Sequence, residues 1–413
     1  MGRWIKDKLS DVKAVVKFIR QQKNYKVGEK IKVGFICQYI PAWNKLEPVY
    51  RIMEQDERFE PILICIPSDI TQPIKENDTY EYYVKRGYPA LNTCVGDGAW
   101  LDISNMGFDY VFYLRPYNSY MPDLYVSSAV ANYAKICIVM YGMVMTKQVM
   151  KEIVGREFFR NVYYFFADSP SAEKHFARLF RIPYHMGLQT TKYYGMPVMT
   201  QIMHQKEEPG TEWQFSNNDY RIMWTPRWTT DLNLGGTNFF TYKDFMLTYA
   251  KEHQEIDFMF RPHPLMFDNF IRTGEMKEEE VVSFKTACAN ASNVQLDESK
   301  DYIASMWNSD VLVTDISGVV AEYFVMNKPL VYCASNMILT PEEHTRRILE
   351  GCYVVNNETE LRACLTELQN GNDYLKEKRT KIIEELFGDN LYTSAELIVN
   401  ALIRDAKKGD EIL

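Results

Sequence analysis

The sequence predicts a doubly wound α/β protein made of two parallel-sheet halves, and three observations carry that prediction. From Lys30 onward, short continuous apolar runs of the kind used by strands buried on both faces alternate with helix-length segments. The chain has 413 residues, too many for one ordinary core and enough for two full domains. The alternation is interrupted once, by the polar stretch from His204 to Asp219, whose Glu-Glu-Pro-Gly and Ser-Asn-Asn-Asp clusters read as a hinge.

Residues 1–29 form a segment of their own. The first thirty residues hold nine Lys/Arg against three Asp/Glu, a net of +6 in a chain whose formal charge is −8. Ile5, Leu9, Val12, Val16 and Ile19 recur three or four apart on one helical face, flanked by Trp4 and Phe18. A basic amphipathic helix of this kind either lies in an anionic membrane surface or packs on the body and shows its lysines to water. The first half, 30–205, then reads as strands at Ile31–Cys37, Phe59–Ile66, Asp109–Leu114, Lys135–Met140 and Val162–Phe166. Helices fall at Glu47–Glu54, Glu81–Gly87 and Ser169–Leu179. The second half, 206–388, reads as strands at Arg221–Pro226, Ile256–Phe260, Asn293–Leu296, Val311–Val313 and Leu330–Cys333. Its helices are Thr241–His253, Val282–Ala291, Ser299–Trp307, Val319–Met326, Thr359–Gln369 and Leu375–Leu386. A closing helix, Tyr392–Lys408, occupies 389–413.

Composition narrows the functional class. Hydrophobic content of 46% and charged content of 25% suit a soluble globular protein, and the acidic net charge gives no reason to expect nucleic acid as a partner. The 28 tyrosines fit either sugar- or base-stacking surfaces or a tyrosine-rich core. Eight cysteines are scattered without a C-x-x-C pair, and Cys37, Cys65, Cys137 and Cys333 sit inside apolar runs, which points to a reducing, cytoplasmic compartment. No apolar run reaches the roughly 18 residues of a membrane span, and no signal peptide is visible.

Chemistry concentrates at three strand ends of the second half. Thr225-Pro226-Arg227-Trp228 is the first, with Gly235-Gly236-Thr237 nearby; Arg261-Pro262-His263-Pro264 is the second. The third, Thr314-Asp315-Ile316-Ser317-Gly318, opens a helix carrying Glu322, and strand, polar turn, helix is the geometry that presents free N–H groups to an anion. Ends of neighbouring parallel strands lie side by side, so the clusters can converge into a diphosphate site with guanidinium for charge and a hydroxyl and N–H groups for one phosphate. Taken singly, Arg261 reads equally well as a salt-bridged arginine and His263 as the cap of a rigid loop. No G-x-x-x-x-G-K-[ST], H-E-x-x-H, zinc-spaced Cys/His set or strand-end Asp-x-Asp occurs, so neither a metal nor a cofactor is called for. Ser169 and Ser171 lack a G-x-S-x-G context.

At these clusters the sequence resembles the CDP-glycerol glycerophosphotransferase family, the teichoic-acid-type polymerases and primases. Trp224-Thr225-Pro226-Arg227-Trp228, Arg261-Pro262-His263-Pro264, and Ser309 to Gly318 with Glu322-Tyr323 and Lys328-Pro329 carry the resemblance. It implies a GT-B fold, two Rossmann-like domains with a cleft between them, the first for the acceptor and the second for the nucleotide donor. It implies transfer of glycerol phosphate or a related polyol phosphate from a CDP-linked donor to a hydroxyl of a cell-surface glycan or lipid-linked acceptor, with release of CMP. That is work for cell-wall or capsule synthesis at the inner face of the membrane. By similarity, His263 and Ser317 contact the donor pyrophosphate, Arg227 helps hold it, and Glu322 sits near the ribose; Thr225, Arg261, Thr314, Asp315 and Gly318 complete the expected donor site. The family's second motif serine is Gly318 here.

The first half departs from the family. Where the family carries a His-Gly pair with the general base, this chain has Met140-Tyr141-Gly142-Met143, ahead of Lys147. A tyrosine with a pKa near 10 is a poor base at neutral pH. By position, Tyr141 and His263 are the expected catalytic groups; Asp168, expected with them, and Asp109, both near predicted strand ends, are the candidate substitutes for the base. A GT-B nucleotide-sugar glycosyltransferase and a catalytically degenerate nucleotide- or glycan-binding subunit are the rival readings.

Overall fold

The computed structural model describes residues 2–24, 28–70, 76–96, 98–205, 213, 220–299, 302–334 and 339–411. The stretch read as a hinge lies outside the described residues from 206 to 219, apart from Trp213. The chain forms two compact units, one of Met1–Gly142, Met150–Thr200 and Asn390–Leu413, the other of Met143–Val149 and Gln201–Asp389.

Unit 1 holds a seven-stranded parallel sheet of β1 (Ile31–Cys37), β2 (Phe59–Cys65), β3 (Ala90–Asn92), β4 (Tyr110–Tyr113), β5 (Lys135–Val139), β6 (Val162–Phe166) and β7 (Thr190–Lys192), in the order β3-β2-β1-β4-β5-β6-β7. The central strands are apolar because helices cover both faces: β4, β5 and β6 are buried at every position. Gly34 in β1 is there for space, since a Cβ would meet Ile64 Cδ1 at 2.6 Å.

The helix Asn390–Glu411, expected to stand apart, belongs to unit 1. Ala395, Ile398, Val399, Leu402 and Ala406 recur at helical spacing and pack into the same core as Val33, Phe35 and Tyr50. Asp405 then accepts hydrogen bonds from Tyr110 Oη (2.6 Å), Tyr163 Oη (2.7 Å) and Lys135 Nζ (2.8 Å), which pins the helix to three strands.

The N-terminal helix Gly2–Asn24 docks through a face other than the predicted stripe. Phe18 and Ala14 are buried, Arg160 pairs with Asp7 and Asp11, and Gln21 donates to the Ala131 and Ala134 carbonyls. Ile5, Leu9, Val12 and Val16 lie on the opposite side and are 44%, 57%, 61% and 42% exposed. No helix among the described residues is long and apolar enough to cross a membrane.

Unit 2 holds β8 (Tyr220–Thr225), β9 (Ile256–Phe260), β10 (Val294–Leu296), β11 (Val311–Thr314), β12 (Leu330–Cys333) and β13 (Tyr353–Val355), all parallel, in the order β10-β9-β8-β11-β12-β13. In both sheets the strand order reverses once, between β1 and β4 and between β8 and β11. Crevices for ligands open at such reversals, outside the carboxyl ends of the strands.

Candidate active site

At the reversal in unit 2, Thr225 ends β8 and Thr314 ends β11, and the two residues are direct register partners. The Thr225 hydroxyl donates to Thr314 Oγ1 (2.8 Å), and Thr314 Oγ1 donates to the Thr225 carbonyl (2.9 Å). Thr314 is wholly buried. The pair therefore ties the two central strand ends together.

Asp315 organises the loop that leaves β8. Its carboxylate, 3% exposed, accepts from the Arg227 N–H (2.8 Å), the Thr237 hydroxyl (3.1 Å), the Asn238 N–H (3.1 Å) and the Asn238 side-chain amide (2.8 Å). Burial pushes its pKa up, and these four donors pull against that shift. Expected as a substrate-binding group, Asp315 instead has its acceptor capacity taken up by its own protein. It fixes the start and end of the 227–238 loop.

That loop aims Arg227 across the reversal. Arg227 Nη1 donates to the Ile316 carbonyl, one residue before Ser317. Gly235 makes the passage possible: its φ is +105°, and a Cβ there would meet Arg227 Nε and Ile316 Cγ2 at 3.0 Å each. Ser317 is the N-cap residue of the helix Gly318–Phe324, yet its side chain caps nothing and has no hydrogen-bond partner among the described residues. Ser317, Gly318 and Val319 are partly exposed, and Ser317 directly follows the carbonyl that the Arg227 guanidinium binds. The helix has only seven residues, so its contribution is local N–H donors rather than a long macrodipole.

His263 joins this group. Its pKa is pushed down to about 4 by burial and then by the Arg227 charge, so the ring is neutral at pH 7. Nδ1 accepts from the Leu265 N–H (3.2 Å), which places the remaining proton on Nε2. The Trp228 ring lies beside it at 6.2 Å between centroids. Arg227 and Ser317 thus stand at the strand-order reversal, and His263 approaches from the loop after the neighbouring strand β9, near enough for the Arg227 charge to act on it.

Two predicted members face elsewhere. Arg261 pairs with Asp297 and also binds the Ser299 hydroxyl (3.1 Å) and carbonyl (2.7 Å), so it braces the loop after β10. The salt-bridged reading holds for it, because Asp297 and Ser299 engage its guanidinium. Glu322 is 2% exposed and accepts from the Tyr302 hydroxyl. The Arg261 guanidinium lies 5.5 Å from the Tyr302 ring, so Arg261, Tyr302 and Glu322 form a lateral support. Sequence reasoning missed Asp297, Tyr302 and Asn238. The polar run Asp297-Glu298-Ser299 behind a short strand was a readable signal for the first; the other two carried none.

In unit 1, Tyr141 follows β5 and its hydroxyl lies 3.0 Å from that of Tyr117. Asp168 follows β6, is 2% exposed, and has the Ser169 hydroxyl 3.5 Å away, so its carboxylate is set inside the protein. Asp109 precedes β4, at the amino end of the sheet, and accepts from the Lys32 N–H (2.8 Å). That end is opposite to the strand ends where binding crevices open, which removes Asp109 as a candidate base. Lys147 lies in the Met143–Val149 segment of unit 2, where its N–H donates to the Thr340 carbonyl (2.9 Å).

The comparisons with known proteins agree with this architecture. A family model described as CDP-glycerol:poly(glycerophosphate) glycerophosphotransferase matches residues 141–403. No curated protein matches by sequence. Among solved structures, UDP-GlcNAc 2-epimerase from Neisseria meningitidis, bound to UDP-GlcNAc, is similar with a TM-score of 0.60 at 13% identity, over 91% of this chain and 100% of that chain. A putative UDP-N-acetylglucosamine 2-epimerase from Listeria monocytogenes gives 0.60 at 14%, over 92% and 97%. A histidine variant of the wall teichoic acid polymerase TagF, soaked with CDPG, gives 0.57 at 14%, over 99% and 98%. These likenesses establish the fold, which is GT-B with two Rossmann-like domains.

Proposed function

The chain belongs to the CDP-glycerol:poly(glycerophosphate) glycerophosphotransferase family, and from that premise we propose that Arg227, His263 and Ser317 hold the diphosphate of a CDP-activated polyol. The observation that carries the reading is the Arg227 guanidinium bonded to the Ile316 carbonyl, with the uncapped Ser317 hydroxyl next in the chain and a neutral His263 close by. An acceptor hydroxyl attacks the β-phosphorus of the donor. The new P–O bond forms as the bond to the bridging oxygen breaks, and the electron pair leaves on CMP. Negative charge grows on the phosphate oxygens that Arg227, the His263 Nε2–H and the Ser317 hydroxyl face. Donors fixed beforehand stabilise that charge without reorganising, typically by about 10²–10³-fold per donor.

In this reading Tyr141 stands in the place of the family's histidine base. A general base contributes on the order of 10²–10⁴-fold, so a weak one slows the reaction without abolishing donor binding. The same substitution favours the second reading, a nucleotide-binding subunit without turnover. CMP release by the purified protein separates them. We expect release from CDP-glycerol or CDP-ribitol, reduced about 100-fold or more by Arg227→Gln. Turnover only with a nucleotide sugar would sink the polyol-phosphate reading, and binding of the CDP donor without release would leave the subunit reading.

The acceptor in this proposal is a glycan or lipid-linked polymer of the kind TagF's description as a wall teichoic acid polymerase suggests. We place the enzyme on an anionic membrane surface through its first helix. Its exposed Ile5, Leu9, Val12 and Val16 form an aliphatic stripe, with the exposed Lys6, Lys8 and Lys13 at its borders. Replacing Leu9 and Val12 by serine leaves the buried Ala14–Phe18 face intact. It should lower co-sedimentation with phosphatidylglycerol-containing vesicles; unchanged sedimentation would refute the membrane role.

A further inference from the structure

The strand-order reversal of unit 1 holds side chains that the donor reading leaves unused. Gln38 follows β1 directly and is 5% exposed. Its Nε2 donates to the Tyr120 carbonyl at 2.6 Å, which fixes the amide's orientation, and its Oε1 is buried with no hydrogen-bond partner. Arg115 lies two residues beyond β4, the strand beside β1. Its guanidinium carbon sits 4.9 Å from the Tyr120 ring, 5.2 Å from Tyr39 and 5.6 Å from Tyr117. Among the described residues Arg115 makes no hydrogen bond or ion pair. Gln38, Tyr39, Arg115 and Met121 line one small pocket.

Each feature restricts what can bind. A guanidinium held over three ring faces keeps its planar fork of N–H donors ready for a phosphate. A buried amide oxygen accepts only from an O–H or N–H group. Burial raises the Tyr39 phenol's pKa, so Tyr39 brings no negative charge against an anion. A ligand that carries a phosphate, a hydroxyl within reach of it, and a short carbon frame that can lie on aromatic faces meets all three restrictions.

We propose that this pocket binds a phosphorylated polyol, with the phosphate on Arg115 and a hydroxyl donating to Gln38 Oε1. In the transferase reading, on which this identification rests, that group is the end of the acceptor. Every group it uses belongs to unit 1, and none of them is a donor residue.

The test uses the full chain without donor. Glycerol 3-phosphate, glycerol and inorganic phosphate are titrated by calorimetry, and CDP is titrated separately. Glycerol 3-phosphate should bind more tightly than either fragment. Arg115→Gln should weaken it by about 10- to 100-fold, the scale of a charge-assisted hydrogen bond, and Gln38→Leu by about 3- to 10-fold. CDP affinity should stay unchanged in both. If Arg115→Gln does not fold, Arg115→Lys replaces it; that variant keeps a cation near the rings but loses the fork, and should weaken binding several-fold. Binding that neither position affects, or no preference over inorganic phosphate, overturns the proposal. Intact glycerol 3-phosphate binding without CMP release from any donor would instead overturn the transferase reading and leave this site standing.

Discussion

Both sheets reverse their strand order at the same topological place, β1/β4 in one and β8/β11 in the other, but the two reversals are furnished differently. At β8/β11 a buried carboxylate, Asp315, gathers four donors and makes one rigid loop out of residues 227–238. Arg227 leaves that loop with its direction already set. At β1/β4 the cation is held by ring faces instead, and the buried polar group there, Gln38, keeps an open acceptor. The carboxylate clamp fixes the backbone of its loop, whereas at β1/β4 the rings orient the guanidinium alone; under the proposed function the first suits a donor diphosphate and the second an acceptor end.

The largest effect expected from this difference is on stability. Asp315→Ala leaves the Asn238 amide and two loop N–H groups without their acceptor, at about 1–3 kcal/mol for each buried group, so a loss of about 3 kcal/mol or more. Gln38→Ala removes one hydrogen bond, to the Tyr120 carbonyl, and should cost about 1 kcal/mol. Urea unfolding measures both. Equal costs would mean that the two reversals do not differ in the way described.

A smaller effect concerns pH. His263 is held neutral, with its pKa near 4, by burial and by Arg227. A diphosphate on Arg227 offsets the guanidinium's push and raises the ring's pKa. A ligand that raises a pKa binds together with a proton, so CDP affinity should strengthen several-fold as pH falls from 7 toward 5. His263→Gln should flatten that slope, and a flat wild-type profile would remove His263 from the donor site. The stability sign runs the other way. The unfolded ring, with its ordinary pKa near 6.5, takes up a proton first. The stabilisation is therefore complete above that value and is lost as pH falls toward 4.

Burial decides how much of the fold and the site was legible in the sequence. Ile31–Cys37, Val162–Phe166, Ile256–Phe260 and Leu330–Cys333 read as strands from end to end because their apolar runs mark them. The three-residue strands Ala90–Asn92, Thr190–Lys192 and Tyr353–Val355 escaped, because each is an outermost strand, too short and too partly exposed to show a pattern. At the candidate donor site, the polar strand ends were visible but their roles were not. Arg227 and Arg261 both follow apolar strands beside a proline. Only the spatial order of β8 and β9 sends one across the reversal and the other onto Asp297. Helical spacing likewise could not tell that Glu322 faces Tyr302 inside the protein. Gln38 and Arg115 lie far apart in the sequence, and only the adjacency of β1 and β4 brings them together.

The helix Asn390–Glu411 has a consequence for how the protein is made. It supplies part of the core of unit 1, yet it is synthesised after all of unit 2. On the ribosome the β1–β7 sheet therefore waits with Val33, Phe35 and Tyr50 lacking their last partners, while every segment of unit 2 has already been emitted. Unit 2 can close first and unit 1 last. A premature stop shortly before residue 390 would leave a complete second unit joined to a first unit with an open, aggregation-prone core.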